Sequence, residues 1–428
     1  MKAGSLILNM FEQLQDSGLK QTINFWIRQQ MQNKLQGLET GHIVIHDPWG
    51  SWSLGSESDP GVQITIHDPA FFTCVFKNGS NGAADAYRRG LWSCSSLKTL
   101  FQILLRNTAQ LDAMEQGLAK LGVIKDRLFH KRRANTRNGS SQNIQDHYDI
   151  GNDLFELFLD ETMTYSSAIF IDENTSLHDA SLQKMDLICQ KLDLKPEHHV
   201  VEIGSGWGSF SIHAAQHYGC KVTTTTISRE QHDLARQRID AAGLGDRIEL
   251  LLTDYRDMQG QYDRLVSIEM IEAVGHDFLP EYFQQCASLL KDDGQMCIQA
   301  IAMPDNRYEA YLKTPDFIQR YIFPGSCCPS LAAMTQAIAT TDLKVTHIED
   351  YAPDYARTLQ CWLKTFMEKE EQVYELGYSR SFFRMWEYYL EYCTAGFTER
   401  YLGLLQLVMN KPACRRELTN IKFQVKPT

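Results

Sequence analysis

Val201-Glu202-Ile203-Gly204-Ser205-Gly206-Trp207-Gly208 is the stretch on which the fold turns. The short apolar run His199–Ile203 predicts a strand, it runs straight into glycines, and residues 208–217 predict a helix. Such glycines let backbone approach a ligand closely, and a helix N-terminus offers unpaired N–H groups. The same alternation continues outward. Residues 176–192 predict a helix before the motif; strand 221–227, helix 229–242 and strand 247–252 follow it, with further strands at Tyr262–Ile268 and Gln295–Ile301. Strands alternating with helices imply βαβ units and a parallel sheet. Glu202 precedes the first glycine, the second strand ends in Thr226-Ile227-Ser228-Arg229-Glu230-Gln231, and the third ends in Thr253-Asp254-Tyr255. These strand ends share one sheet edge, where open α/β folds bind ligands. A glycine string alone is a weak signal, and a bare turn or a dinucleotide site are its alternatives. The dinucleotide pattern wants a third glycine where Ser209 stands and an acid where the second strand ends in Thr226.

The chain has 428 residues, which points to two domains, with three as the outer bound. Hydrophobic residues are 43% and charged residues 22%, enough for a sizeable core without disulfides or metal. The formal net charge of −11 argues against a protein that wraps nucleic acid, so no nucleic-acid partner is expected. Eleven cysteines, without a CxxC, suit buried free thiols in a reducing compartment. The N-terminus does not read as a signal peptide, and no run of ~18 apolar residues reads as a membrane span. A cytoplasmic protein able to touch a membrane surface is the expectation.

A basic and polar linker is expected at 124–145, where Lys125, Arg127, Lys131, Arg132, Arg133 and Arg137 precede Asn138-Gly139-Ser140-Ser141. Such a stretch reads either as a solvated loop or as a contact for anionic lipid headgroups, at ~1 kcal/mol per basic residue. Residues 1–123 form an expected α+β module: a helix over 5–37, strands at 42–45, 51–54 and 62–66, and helices near 81–92 and 96–122. Residues 146–428 form the second domain, and its aromatic-rich segment 362–410 predicts long helices.

Glu202 to Gly208 resembles motif I of class I S-adenosylmethionine-dependent methyltransferases. The resemblance narrows further along the chain. His147-Tyr148-Asp149-Ile150-Gly151-Asn152-Asp153-Leu154-Phe155, Met163–Ala168, Thr226–Gln231, Met270–Gly275, Tyr321–Gly325, Asp354-Tyr355 with Thr358-Leu359, and Tyr392–Phe397 resemble, in order, the cyclopropane-fatty-acyl-phospholipid synthases. The likeness covers about residues 140–410. It implies a Rossmann-like class I methyltransferase sheet with a C-terminal helical elaboration, beside a smaller N-terminal α+β domain that suits lipid binding. It implies methyl transfer from S-adenosyl-L-methionine to the double bond of unsaturated phospholipid acyl chains, on the inner face of the membrane, giving a cyclopropane. A homodimer is left open.

The resemblance also implies roles. Gly204 and Gly206 approach the amino-acid end of the cofactor, with Glu202 beside them; Tyr165 and Ser166 cover it; Thr226 and Gln231 lie near ribose and methionine; Asp254 and Tyr255 meet adenine. A bound bicarbonate is implied as base, its ligands falling on Ser167, Glu272, Gln299, Ile301 and Tyr355. Here the chain departs from the family: Ser167 replaces a usual Cys, Gln299 and Ala273 replace usual His residues, and Glu269 stands where a small residue is common. Gln donates a hydrogen bond but does not titrate near neutrality as His does. A weaker or displaced base opens the alternative outcome, loss of a different proton to give a methylene- or methyl-branched chain. Cys393 aligns with a cysteine considered a nucleophile in the family; it stays among the catalytic candidates, although a buried core thiol is the simpler reading. His213 and His217 are spaced for a metal, but no third ligand completes a set, so exposed helix residues and no metal are expected. The rival functions are a small-molecule methyltransferase and a catalytically silent lipid binder.

Overall fold

The structure is a computed structural model describing residues 17–108 and 150–416, with 36 and 58 excepted. Residues 5–16 of the first expected helix, the end of the 96–122 helix, the linker at 124–145 and His147-Tyr148-Asp149 lie outside the described residues.

The N-terminal module begins with α1 (Ser17–Leu35), then β1 (His42–Asp47), β2 (Gly50–Gly55) and β3 (Gly61–Ile66), α2 (Ala70–Arg88), β4 (Trp92–Cys94) and α3 (Leu97–Arg106). Its sheet has the order β2-β1-β3-β4, and β1 and β3 run parallel. The strands alternate buried and exposed residues, as a half-buried sheet requires. One expectation is corrected here. The helix expected at 81–92 starts at Ala70, because the apolar run from Phe71 to Phe76 extends it; Gly79 (φ +56°) kinks it, and residues 92–94 pair as a strand instead. Trp92 closes that corner by donating its indole N–H to Ala83 O at 2.8 Å.

The second region opens with α4 (Asn152–Phe158) and α5 (Leu177–Lys191). Then β5 (His199–Ile203), α6 (Ser209–Tyr218), β6 (Lys221–Thr226), α7 (Arg229–Ala241), β7 (Ile248–Leu252) and β8 (Tyr262–Ile268) alternate. They are followed by α8 (Leu279–Leu289), β9 (Leu290–Ala302), α9 (Asp305–Tyr311), α10 (Leu331–Ile338) and β10 (Lys344–Asp350). The chain continues through α11 (Ala352–Glu368), α12 (Glu370–Glu375), α13 (Arg380–Thr398) and β11 (Gly403–Asn410). The seven-stranded sheet has the order β10-β11-β9-β8-β5-β6-β7, with β5 to β9 parallel and β11 antiparallel to both its neighbours. Strand order reverses around β5, between β6 and β8, which makes a crevice at the carboxyl ends of these strands.

Each face of this sheet buries helices. On one, Met185 and Ile188 of α5, Phe210 of α6 and Ile239 of α7 pack on Val200, Val222 and Val266. On the other, Tyr282 and Phe283 of α8 and Met334 of α10 pack on Val201, Leu265 and Leu407. Residues 403–410 were expected to be helical and are a strand. The run Leu404 to Met409 is buried on both faces between β9 and β10, and such a continuous apolar run has no period that tells strand from helix. β10 was not anticipated; its most apolar residue, Ile348, is exposed, so the sequence shows no clean alternation there.

The two regions share a core. Trp52, Phe72 and Phe101 of the N-terminal module belong to one apolar cluster with Phe155, Trp362 and Trp386. α13 carries the junction: Arg384 donates to Tyr87 O and Trp92 O at 2.7 and 2.8 Å, and Tyr87 OH donates to Glu387 at 2.7 Å. Arg106 and Gln102 of α3 both bond Glu399. All eleven cysteines are free thiols, none of them exposed.

Lys191 ends α5 with its ammonium fully buried. It pairs with Glu349 of β10 and donates to Gln406 Oε1 of β11 at 2.6 Å and Tyr351 OH at 3.2 Å. Breaking a buried pair strands its partners, so Lys191→Ala is expected to destabilise the protein by ~3–5 kcal/mol near neutral pH. Burial alone would raise the pKa of Glu349, but the bonds from Lys191 and Tyr351 hold it at about 2. A carboxylate depressed in this way contributes stability above its unfolded value and loses it as pH falls toward the folded value. The deficit of the variant in thermal melts should therefore shrink below pH ~4.

Candidate active site

The crevice at the ends of β5, β6, β7 and β8 opens into a cavity of about 1080 Å³. Its floor is the glycine turn. Gly204 (φ +97°) and Gly206 (φ +49°) adopt backbone that side chains resist, and the N–H groups of Gly204 and Ser205 both donate to Thr225 O. A Cβ at Gly204 would press on Met270 at 3.1 Å, whereas one at Gly206 would meet nothing within 4 Å and would project into the cavity. The turn is thus shaped for a ligand lying close against backbone.

Around it stand the residues singled out from the sequence. Glu202 is buried; its Oε2 accepts from Thr224 Oγ1 at 2.6 Å and from Ser211 Oγ. Burial pushes its pKa up to about 7 against those two donors. Glu202 therefore ties β6 and α6 to the turn. Thr226 Oγ1 donates to Gln231 Oε1 at 2.9 Å, and Ser228 caps α7. Asp254 is clasped by its neighbour Arg256, at 2.6 and 2.9 Å, and Tyr255 packs edge-on against Tyr282. Tyr165 shares a hydroxyl bond with Tyr389 at 3.0 Å, and Ser166 Oγ accepts from Lys184 Nζ at 2.7 Å. All of these except Tyr282, Ser211, Thr224 and Ser228 line the cavity.

The residues expected to hold bicarbonate are arranged otherwise. Glu272, Ile301 and Tyr355 line the cavity, but Ser167 and Gln299 do not. They lie behind Glu269, whose carboxylate takes their hydrogen bonds. Oε1 accepts from Ser167 N–H at 2.9 Å and from Gln299 Nε2 at 2.7 Å, and Oε2 accepts from Tyr355 OH at 2.7 Å. The Ser167 hydroxyl is turned to Ala168 O. The Ile301 N–H is spent on Glu272 Oε1 at 2.5 Å. The donors that a bicarbonate would need are already engaged, and a fixed carboxylate stands among them. The residues present do not fit that ion. They fit S-adenosylmethionine, through the open glycine turn and the polar groups of Thr226, Gln231 and Ser166 beside it.

Glu269 has φ +50°, a conformation that costs a non-glycine residue about 1–3 kcal/mol and clusters at functional sites. Glu272 lies three residues on. Its Oε2 is buried without a hydrogen-bond partner, and its pKa is pushed up to about 8, by burial first and by the charge of Glu269 second. Burial also raises Glu269, opposed by Gln299, Lys184, Tyr355 and the Ser167 N–H. With three donors on Glu269 and one on Glu272, Glu269 is the member of the pair better placed to carry negative charge, and Glu272 the one that holds a proton. Burial lowers Lys184 to about 8, with Glu269, Asp160 and Glu202 pulling it back.

Beyond the carboxylates the cavity becomes apolar and aromatic, past Ile318, Phe323, Leu359, Tyr389, Tyr392 and Phe397. Tyr355 stacks on Phe397 at 4.4 Å. This limb reaches Lys77–Asn81, at the kink of α2, and Leu105 of the N-terminal module. Cys393 lines it, but burial drives its thiol pKa far up, so it is no thiolate nucleophile near neutrality.

Two functional positions were missed as such. Lys184 sits on the buried face of α5, where sequence gives no sign because a lysine is ordinarily solvated. Glu269 was visible as a departure from the family pattern, without a role. One expectation is corrected: His213 is buried at 8% exposure, against His217 and near Asp186, because α6 turns that side toward α5. Among the described residues no group of three His, Cys, Asp or Glu could hold a metal ion.

Comparison with known proteins agrees with this geometry. Residues 135–407 match the family model for mycolic acid cyclopropane synthetase. The tuberculostearic acid methyltransferase of Mycobacterium tuberculosis is 37% identical, over 87% of this chain and 89% of its own. The cyclopropane-fatty-acyl-phospholipid synthase of Escherichia coli is 33% identical, over 82% and 88%. The crystal structure of a mycolic acid cyclopropane synthase complexed with SAH and CTAB superposes with a TM-score of 0.60 at 30% identity, covering 63% of this chain and 98% of that one.

Two outcomes are expected from the site. Gly206→Val should weaken S-adenosylhomocysteine binding at least roughly tenfold by calorimetry, since it adds a branched side chain at positive φ where the ligand must approach. Glu272→Gln should raise the melting temperature at high pH. The folded protein holds the Glu272 proton up to pH about 8 and the unfolded chain only to about 4.5, so wild-type stability falls as pH rises through that window. The gain should be largest above pH ~8 and absent below pH ~4.5.

Proposed function

The chain belongs to the mycolic acid cyclopropane synthetase family and is an S-adenosylmethionine-dependent methyltransferase, and on that premise we propose that it methylates the double bond of unsaturated acyl chains in phospholipids. The observation that carries this reading is the single cavity. It joins the glycine turn to an aromatic limb long enough to reach the N-terminal module. A small polar substrate has no use for that limb.

When bound, S-adenosylmethionine supplies a methyl group as an electrophile. The rest is the work of this chain. An alkene is a weak nucleophile, so rate depends on holding the double bond in line and excluding water. Tyr165, Phe323 and Tyr389 line the same cavity as the glycine turn. Their faces favour the carbocation that methyl addition creates, at ~0.5–2 kcal/mol each. Tyr355 and Gln299 hold the carboxylate of Glu269, which lines the same cavity.

Ring closure to a cyclopropane is the first reading of the product. A methylene branch is the second, favoured by the replacement of the implied anion site with a fixed carboxylate; a saturated methyl branch needs a separate reductant. The lipid reading also draws on the surface. Leu19, Phe25 and Trp26 of α1 are exposed, and Trp26 lies against Phe76 of α2, next to the cavity limb at Lys77. No described helix is long and apolar enough to cross a membrane. We place the enzyme at the cytoplasmic membrane surface, with acyl chains entering through that limb.

The test is incubation with methyl-labelled S-adenosylmethionine and vesicles of mono-unsaturated phospholipid, followed by gas chromatography–mass spectrometry. A labelled ring or methylene branch on the acyl chain is expected, and the two are separated by hydrogenation. Label on no acyl chain would overturn the reading in favour of a small-molecule substrate or a silent binder.

A further inference from the structure

We propose that Glu269 is the proton acceptor of the reaction, a carboxylate built into the chain in place of an exchangeable anion. The inference rests on the acyl-chain reading above. It explains a coincidence that the reading leaves open: Gln299 and Glu269 both depart from the family pattern, and they are in contact.

The contact is held from both ends. Glu269 follows the last residue of β8, and its N–H donates to Gln299 O at 2.7 Å, while its side chain accepts from the Gln299 amide. Gln299 Oε1 accepts from Gln406 Nε2 at 2.8 Å, and Gln406 Oε1 accepts from Lys191 at 2.6 Å. This chain of bonds fixes which way the Gln299 amide faces, with its N–H₂ toward Glu269. A non-titrating donor at this position leaves the proton chemistry to the carboxylate. Oε1 accepts two hydrogen bonds, from Ser167 N–H and from the Gln299 amide, whereas Oε2 accepts only from Tyr355 OH. An acceptor site therefore remains on Oε2, in a residue that lines the cavity. Glu272, with one donor and an unpartnered Oε2, keeps its own proton and does not compete.

The chemistry balances without a further reactant. The π pair of the alkene forms a C–C bond to the methyl as the S–CH₃ bond breaks, its pair leaving on sulfur, and the neighbouring carbon becomes cationic. A C–H pair of the new methyl then closes the ring, and its proton passes to Glu269. After a hydride shift, loss of the same proton to the same carboxylate leaves an exocyclic methylene. Either product returns Glu269 protonated, to be discharged to solvent once the lipid has left.

The experiment combines variants with bicarbonate. Glu269→Gln keeps an acceptor for Ser167 and Gln299 and so preserves packing; its turnover on mono-unsaturated vesicles should fall roughly 100-fold or more, in kcat rather than in the KM for S-adenosylmethionine. Glu269→Gly leaves Ser167 N–H, Gln299 and Tyr355 facing open space. Added bicarbonate should restore its turnover at least roughly tenfold, and should leave the wild-type rate unchanged whether dissolved carbon dioxide is removed or supplied. Stimulation of the wild type by bicarbonate, or a Glu269→Gln variant with wild-type rate and product ratio, would overturn the role of Glu269 while leaving the substrate reading intact. A wild-type protein that labels no acyl chain would instead overturn the substrate reading, and the proton step with it.

Discussion

A buried carboxylate must be given donors, and the need of Glu269 for them organises the centre of this molecule. Its hydrogen bonds come from the loop before α5 through Ser167, from β9 through Gln299 and from α11 through Tyr355. Behind Gln299 stand Gln406 of β11 and Lys191 of α5. Six segments, that of Glu269 included, thus meet on one network. A partly satisfied network in a low-dielectric interior is costly, so the pieces hold one another in place. The positive φ of Glu269 is strain that only such an over-determined setting retains.

The second constraint is enclosure. On the proposed chemistry a carbocation in reach of water would be lost to water, so the site needs walls. The aromatic residues of α11 and α13 supply them, and the N-terminal module braces those helices from outside. Tyr87 and Phe101 both pack on Tyr388 of α13, which in turn packs on Phe317 beside the cavity. The module is therefore part of the wall as well as a neighbour. Its apolar residues run into the same cluster as Trp362 and Trp386, and one cavity is lined by residues of both regions.

Much of this was legible in the sequence. The strands and helices expected from 176 to 252 and the strands at 262–268 and 295–301 are present, α8 between the last two was not anticipated, and the glycine turn between β5 and α6 marks the ligand edge of the sheet. The cofactor-facing candidates Tyr165, Ser166, Glu202, Gly204, Gly206, Thr226, Gln231, Asp254 and Tyr255 lie together on one cavity. Two stretches were misread for one reason each. Residues 403–410 are apolar throughout, so no period distinguishes a doubly buried strand from a helix. Residues 70–80 join α2 across a glycine kink that breaks the pattern.

Sequence by itself determined the parallel sheet, the glycine turn, the family and the identities of the groups in the site, because these depend on local periodicity and on residue types at fixed spacing. Tertiary structure alone decided what those groups do to one another. That Ser167 and Gln299 hydrogen-bond to Glu269, that burial pushes the Glu272 pKa up, and that Lys184 and His213 are buried all follow from long-range packing. Hydrogen bonds between residues 30 to 132 positions apart, and the desolvation that shifts a carboxylate, leave no trace in a linear pattern. They exist only once β8, β9, α11 and the loop before α5 have been brought to one point.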